Sequence, residues 1–96
     1  MIALQCGVDI MAAAVREHGM QVLHDKACAL IDLFINTVTA GGNPHGLTLL
    51  TPAASHERGS QASFSLADGD QAYAVVQALI ARGVIGDFRA PNILRF

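Results

Sequence analysis

Gln61-Ala62-Ser63-Phe64-Ser65-Leu66, followed at once by Ala67-Asp68-Gly69-Asp70, is the stretch on which the fold turns. Ala62, Phe64 and Leu66 alternate with Gln61, Ser63 and Ser65, the period-two pattern of a strand with one buried face. Asp68 or Asp70 then stands where a helix begins, because a short carboxylate accepts the unpaired N–H groups of a first helical turn. Ala72, Val76, Leu79 and Ile80 repeat at helical spacing, and Gly83 ends the run. A strand greasy on one side that leads into a helix greasy along one stripe predicts a helix laid on a sheet.

Working outward, Val84–Phe88 and Ile93–Phe96 read as two further strands joined through Ala90-Pro91-Asn92. Upstream, Leu47–Thr51 is a short β-capable run closed by Pro52. Before it, Gly41-Gly42-Asn43-Pro44 stops a long helix whose apolar stripe is Leu23, Ala27, Leu30, Ile31, Phe34 and Val38, with Gln21, Asp25, Asp32 and Asn36 opposite. Arg16–Gly19 separates that helix from a first one over Ile2–Val15, where Leu4, Val8, Met11 and Val15 keep helical spacing. Ile2, Cys6 and Ile10 occupy its other faces, so this helix is expected to be covered on most sides.

The order is helix, helix, strand, strand, helix, strand, strand. Short links between successive strands predict a mainly antiparallel sheet with helices packed on one face, a two-layer α/β (α+β) sandwich. Residues 1–96 form one small domain, with a helical segment over 1–40 and a sheet-plus-helix segment over 47–96. The uncapped apolar opening and the strand that runs to Phe96 are read as truncation at both ends.

Composition supports a domain that leans on something else. Hydrophobic residues make up 52% and charged residues 15% of the chain, against roughly 45–50% and about 25% in ordinary globular proteins. A small domain has proportionally more surface and should be the more polar for it. The excess apolar surface is therefore expected to meet a partner.

A bilayer is not that partner. The longest greasy stretch, Ala27–Ile35, is broken by Asp32 and is far shorter than the ~18 apolar residues a span requires. No basic segment precedes the apolar start to make a secretory signal. Net charge is −2 and the six Lys+Arg are scattered, which argues against nucleic acid. Cys6 and Cys28 lie among apolar neighbours in helical patterns and read as buried free thiols in a reducing, cytoplasmic setting.

The histidines His18, His24, His45 and His56 do not share metal-ligand spacing with each other or with the cysteines, so no metal site is expected. No Gly-x-Ser-x-Gly elbow is present, and neither cysteine reads as having a basic partner near it in sequence. Gly83-Val84-Ile85-Gly86 is a helix stop followed by a strand, whereas a phosphate loop would open a helix. Lys26 is the only lysine. Beside Asp25 on a polar helix face, it lacks the desolvation or cationic neighbour that would make it a Schiff-base amine. No catalytic nucleophile or Schiff-base lysine is therefore expected in this chain. Two polar stretches stand out instead, Ser55–Gln61 and Gly86–Phe96. In the second, Arg95 sits on a strand between Leu94 and Phe96, where it is either a rim residue or a carboxylate clamp whose planar fork fits both anionic oxygens.

Glu57-Arg58-Gly59-Ser60-Gln61, Ala81-Arg82-Gly83-Val84-Ile85, Gly86-Asp87-Phe88-Arg89-Ala90-Pro91 and Ile93-Leu94-Arg95-Phe96 resemble the C-terminal part of kynureninases. Cys6-Gly7-Val8-Asp9-Ile10 and Ala29-Leu30-Ile31-Asp32-Leu33-Phe34-Ile35 are similar to the segment ahead of it, so the likeness covers nearly the whole chain. The resemblance implies the small domain of a dimeric pyridoxal-phosphate enzyme of the aspartate-aminotransferase fold (fold type I). It also implies hydrolysis of L-kynurenine to anthranilate and L-alanine, a step of tryptophan catabolism towards NAD. Arg95 would hold the substrate α-carboxylate, with Arg89 and Arg58 as secondary support. The Schiff-base lysine and the phosphate-binding residues would belong to the large domain, so this chain alone is expected to be inactive. It would have that large domain and a second subunit as its partners. Two alternatives are the small domain of another fold-type I enzyme, desulfurase-like or aminotransferase-like, and a free-standing amino-acid-binding regulatory module.

Overall fold

A computed structural model describes residues 2–96, and Met1 lies outside the described residues. The elements are α1 (Ile2–His18), α2 (Met20–Thr39), β1 (Thr48–Leu49), a single 3₁₀ turn (Ser55–Glu57), β2 (Ser63–Ser65), α3 (Gly69–Ala81), β3 (Asp87–Arg89) and β4 (Ile93–Arg95). Their order matches the sequence reading. The strands form one antiparallel sheet in the order β1-β2-β4-β3.

Boundaries moved in consistent ways. Only Gly19, at φ 82°, separates α1 from α2, so the first helix runs three residues past the expected Val15. The strands are shorter than the apolar runs that announce them. Val84 and Ile85 lie outside β3 because the chain must first leave α3 through Gly83, at φ 88°. The Gly83 and Val84 N–H groups bond back to Ile80 and Leu79, closing the helix end.

The alternating segment behaves as its pattern requires. Ala62, Phe64 and Leu66 are buried on one side of the sheet, and Leu94 and Phe88 lie beside Phe64 on the same face through the register Phe64↔Leu94↔Phe88. Ala72 and Val76 of α3 close this core with Leu66 and Leu94. Phe34 of α2 reaches the same face, its ring centroid 6.0 Å from Phe64 and 5.4 Å from Phe96. α3 and Phe34 of α2 thus lie on one face of the sheet. Ile80 departs from the reading: it is 40% exposed.

Asp68, not Asp70, caps α3, its carboxylate accepting the Asp70 and Gln71 N–H groups at 2.9 and 3.4 Å. Gly69 is required there for space, since a Cβ would stand 2.2 Å from the Pro91 carbonyl oxygen. Asn92 ties the same corner, donating from Nδ2 to the Leu66 carbonyl at 2.6 Å and accepting the Leu66 N–H at its own carbonyl.

The expected covering of α1 is absent within this chain. None of its residues is buried, and Ile2, Leu4 and Ile10 stay 64–84% exposed. Cys6 is exposed and Cys28 half-exposed, which corrects the reading of both as buried thiols; each is free. The helix that carries Cys6 packs on α2 and buries none of its described residues. Because α1 projects from the sheet, the radius of gyration is 15.9 Å, against about 12–13 Å for a compact chain of this length. An apolar groove of about 570 Å³ also opens between α2, α3 and the sheet, lined by Phe34, Val38, Leu79, Val84 and Phe96.

Two outcomes follow. Gly69→Ala should destabilise the domain by about 1–3 kcal/mol, the usual cost of forcing atoms into an occupied space, read from its denaturant midpoint; an unchanged midpoint would refute the close approach. The isolated chain should bind a hydrophobic dye or self-associate through α1, and sedimentation as a dye-silent monomer at high concentration would contradict that exposure.

Candidate functional site

The face of the sheet away from the helices is polar. Register places Ser63, Arg95 and Asp87 in one row across β2, β4 and β3, with Ser65, Ile93 and Arg89 in the next. This follows from the alternation that buries Phe64, Leu94 and Phe88, because neighbouring residues on a strand point to opposite faces.

Three charged groups meet in these rows. Arg95 Nη2 donates to Asp87 Oδ2 at 2.6 Å, a charge-assisted hydrogen bond between directly paired residues. Arg89 Nη2 lies 3.0 Å from the same oxygen. Arg95 is the more enclosed of the two arginines, at 34% side-chain exposure against 57% for Arg89. Two guanidiniums and one carboxylate leave a net positive charge of one on the cluster. Arg95 has five N–H donors and commits one nitrogen to Asp87, so most of its fork stays free for an anion.

Arg58, the third arginine, is placed elsewhere. Its side chain is 2% exposed and bridges two parts of the chain. It pairs with Asp32 of α2 and donates to the carbonyls of Ala53 at 2.8 Å and Cys28 at 3.5 Å. Its Nε is buried without a partner. Of the three arginines, the structure joins Arg89 and Arg95 through Asp87, while Arg58 fastens the β1–β2 connection to α2.

Sequence reasoning missed three groups. Asp87 was passed over because only strand register shows that it faces Arg95. Asp32 was assigned to an exposed helix face, and it is 54% exposed, yet it is the counter-ion of a buried arginine 26 positions away. His24 stands 3.5 Å from Cys28 Sγ, so that cysteine does have a basic neighbour, one helical turn away in sequence.

Lys26 is exposed on α2. The amine therefore lacks the desolvation that a Schiff-base lysine needs. Among the described residues no three His, Cys, Asp or Glu side chains come together, and no helix is long and apolar enough to cross a membrane.

The sequence model of the kynureninase C-terminal domain matches residues 23–96. The chain belongs to this family. Kynureninases of Burkholderia mallei (strain SAVP1) and Burkholderia pseudomallei (strain K96243) are 47% identical to it over 96 residues, all of this chain and 21% of each relative. The kynureninase of Pseudomonas fluorescens is 47% identical over 93 residues, 97% of this chain and 21% of its own length. The chain thus spans about a fifth of the length of the curated relatives it matches. In this kynureninase C-terminal domain, Arg58, Asp87, Arg89 and Arg95 all fall inside the matched residues.

The asymmetry of the Arg58 pair gives a test. Asp32→Ala removes the counter-ion of a buried cation, a kind of change that typically costs 3–5 kcal/mol. Arg58→Met removes the cation, fills much of its volume and leaves Asp32 in water, so it should cost less, about 1.5–3 kcal/mol for the lost charged hydrogen bonds. Thermal or denaturant unfolding of the two variants should show Asp32→Ala as the less stable, and the opposite order would overturn the tether.

Proposed function

We propose that this chain is the small domain of a kynureninase-type hydrolase, and that its contribution to the reaction is to hold the α-carboxylate of L-kynurenine on Arg95. The observation that carries the reading is the placement of Arg95. It sits half-enclosed on an interior strand, on the sheet face that no helix of this chain covers, in a cluster with one positive charge in excess. The family membership supports the substrate class, since the relatives are kynureninases.

The pyridoxal phosphate on which this family's chemistry rests supplies the electron sink for carbon–carbon cleavage when bound. On this reading its binding residues lie in the rest of the parent protein, and the 96-residue chain by itself should show no turnover. Within this chain, Arg95 binds and orients. A bidentate guanidinium–carboxylate pair fixes one end of the substrate, which places the reacting carbon at a reproducible distance from the catalytic groups. Arg89 adds positive charge beside it. The exposed apolar residues of α1 and the groove between α2 and α3 are the surfaces that meet the large domain and a second subunit. The reading places the protein in the cytoplasm, in the breakdown of tryptophan.

A free-standing amino-acid-binding module would use the same arginine without a catalytic domain. The relatives, which carry this sequence as about a fifth of a longer enzyme, favour the hydrolase.

The decisive experiment uses the full-length enzyme and two substrates, kynurenine and its α-carboxamide. Arg95→Ala should lower kcat/KM for kynurenine roughly 30-fold or more, as expected when one member of a desolvated charge pair is lost at a cost of about 2–5 kcal/mol. Arg95→Lys should restore only part of it, since an ammonium keeps the charge and loses the fork. The preference for kynurenine over the carboxamide should collapse in Arg95→Ala, and full retention of that preference would show that the clamp is another residue.

A further inference from the structure

From the geometry of the polar sheet face we infer that Asp87 is a positioning residue for Arg95, setting the direction in which its guanidinium meets a substrate carboxylate. The inference rests on the clamp reading of Arg95 and goes beyond it.

Three observations carry it. Asp87 and Arg95 are directly paired in the β3–β4 register, so their Cβ atoms stand side by side on one face. The Arg95 side chain uses that proximity, with Nη2 on Asp87 Oδ2 at 2.6 Å. On the other flank of Arg95, in the β2 register, stands Ser63. Its side chain is small and uncharged, so Asp87 alone in that row exerts a directional pull.

An arginine on an open face has many rotamers, and holding it in one costs about 2 kcal/mol of side-chain entropy. A fixed acceptor at one nitrogen removes most of that freedom before substrate arrives. Asp87 also carries a second load, because Arg89 Nη2 lies 3.0 Å from the oxygen that Arg95 uses. The shared oxygen is therefore only partly neutralised by Arg95, and Arg95 in turn is only partly neutralised by Asp87. That division leaves Arg95 oriented and still cationic. A carboxylate serving Arg95 alone would hold it as firmly and cancel more of its charge.

The test is a set of variants in the full-length enzyme, assayed on the amino-acid substrate and its α-carboxamide. Asp87→Ala should reduce kcat/KM for the carboxylate substrate about ten- to hundred-fold, the range for losing a hydrogen bond to a charged group. Activity on the carboxamide should change by less than about threefold, the scatter expected of independent sites. Asp87→Asn keeps an acceptor oxygen and should recover most of the loss, which a role through charge alone does not allow. In the Arg95→Ala background, Asp87→Ala should have no further effect, because the two act as one unit.

Equal losses on both substrates, additive losses in the double variant, or a gain for the carboxylate substrate in Asp87→Asn would each overturn the inference. The last would mean that Asp87 competes with the substrate. If Arg95→Ala abolishes the preference for carboxylate and Asp87→Ala does not touch it, the clamp stands and the positioning role fails. If Arg95→Ala leaves the preference intact, the clamp fails, and the role of Asp87 fails with it.

Discussion

The antiparallel pairing of β2 with β4 sets Phe64 opposite Leu94 and Ser63 opposite Arg95. Both faces of the domain depend on that register. On one side it assembles the apolar row that α3 and Phe34 cover; on the other it lines up the polar row. A slip of one residue would put Arg95 into the core and Leu94 into water, exchanging every side chain between the faces. The register is held by burial, with Phe64 and Leu94 at 0 and 1% exposure. It is held also by the Ala62–Phe96 bonds at one end and the Leu66–Asn92 bonds at the other.

The placement of charge follows from this constraint. An ionised group in the apolar row would lose its hydration without a partner, so the arginines near the chain end are confined to the opposite face. There they share one carboxylate. Arg58 meets the same physics by a different route, since it is buried and must take its acceptors from Asp32 and two backbone carbonyls. The two clusters differ in kind: Arg58 ties two parts of the chain together, and the Arg89–Asp87–Arg95 cluster carries one positive charge in excess on the polar face.

The polar face is only part of what the domain presents. Exposed apolar residues on α1, further ones on α2 such as Leu30 and Leu33, Ile85, and the groove beside Phe96 leave much apolar surface uncovered within this chain. Surface of that kind is costly in water and is normally retained where it meets other protein. The kynureninases that this chain matches are about five times as long.

The order of the elements, the buried strand face of Ala62, Phe64 and Leu66, the Ala72–Val76 stripe and the stops at Gly41-Gly42 and Gly83 were all legible in the sequence. Each depends on local periodicity or on backbone preferences within a few residues. The strand position of Arg95 was legible, and the family motif marks that arginine as the residue proposed to hold the carboxylate. Its pairing with Asp87, the tether from Arg58 to Asp32 and the bareness of α1 were not. These depend on which strands become neighbours and which helix lies over which loop. Such contacts join residues far apart along the chain, and local pattern carries no record of them. The sequence by itself determined what each segment is and which of its faces is apolar. Tertiary structure decided which charges meet, because only packing the segments together gives a buried or surface cation its particular partner.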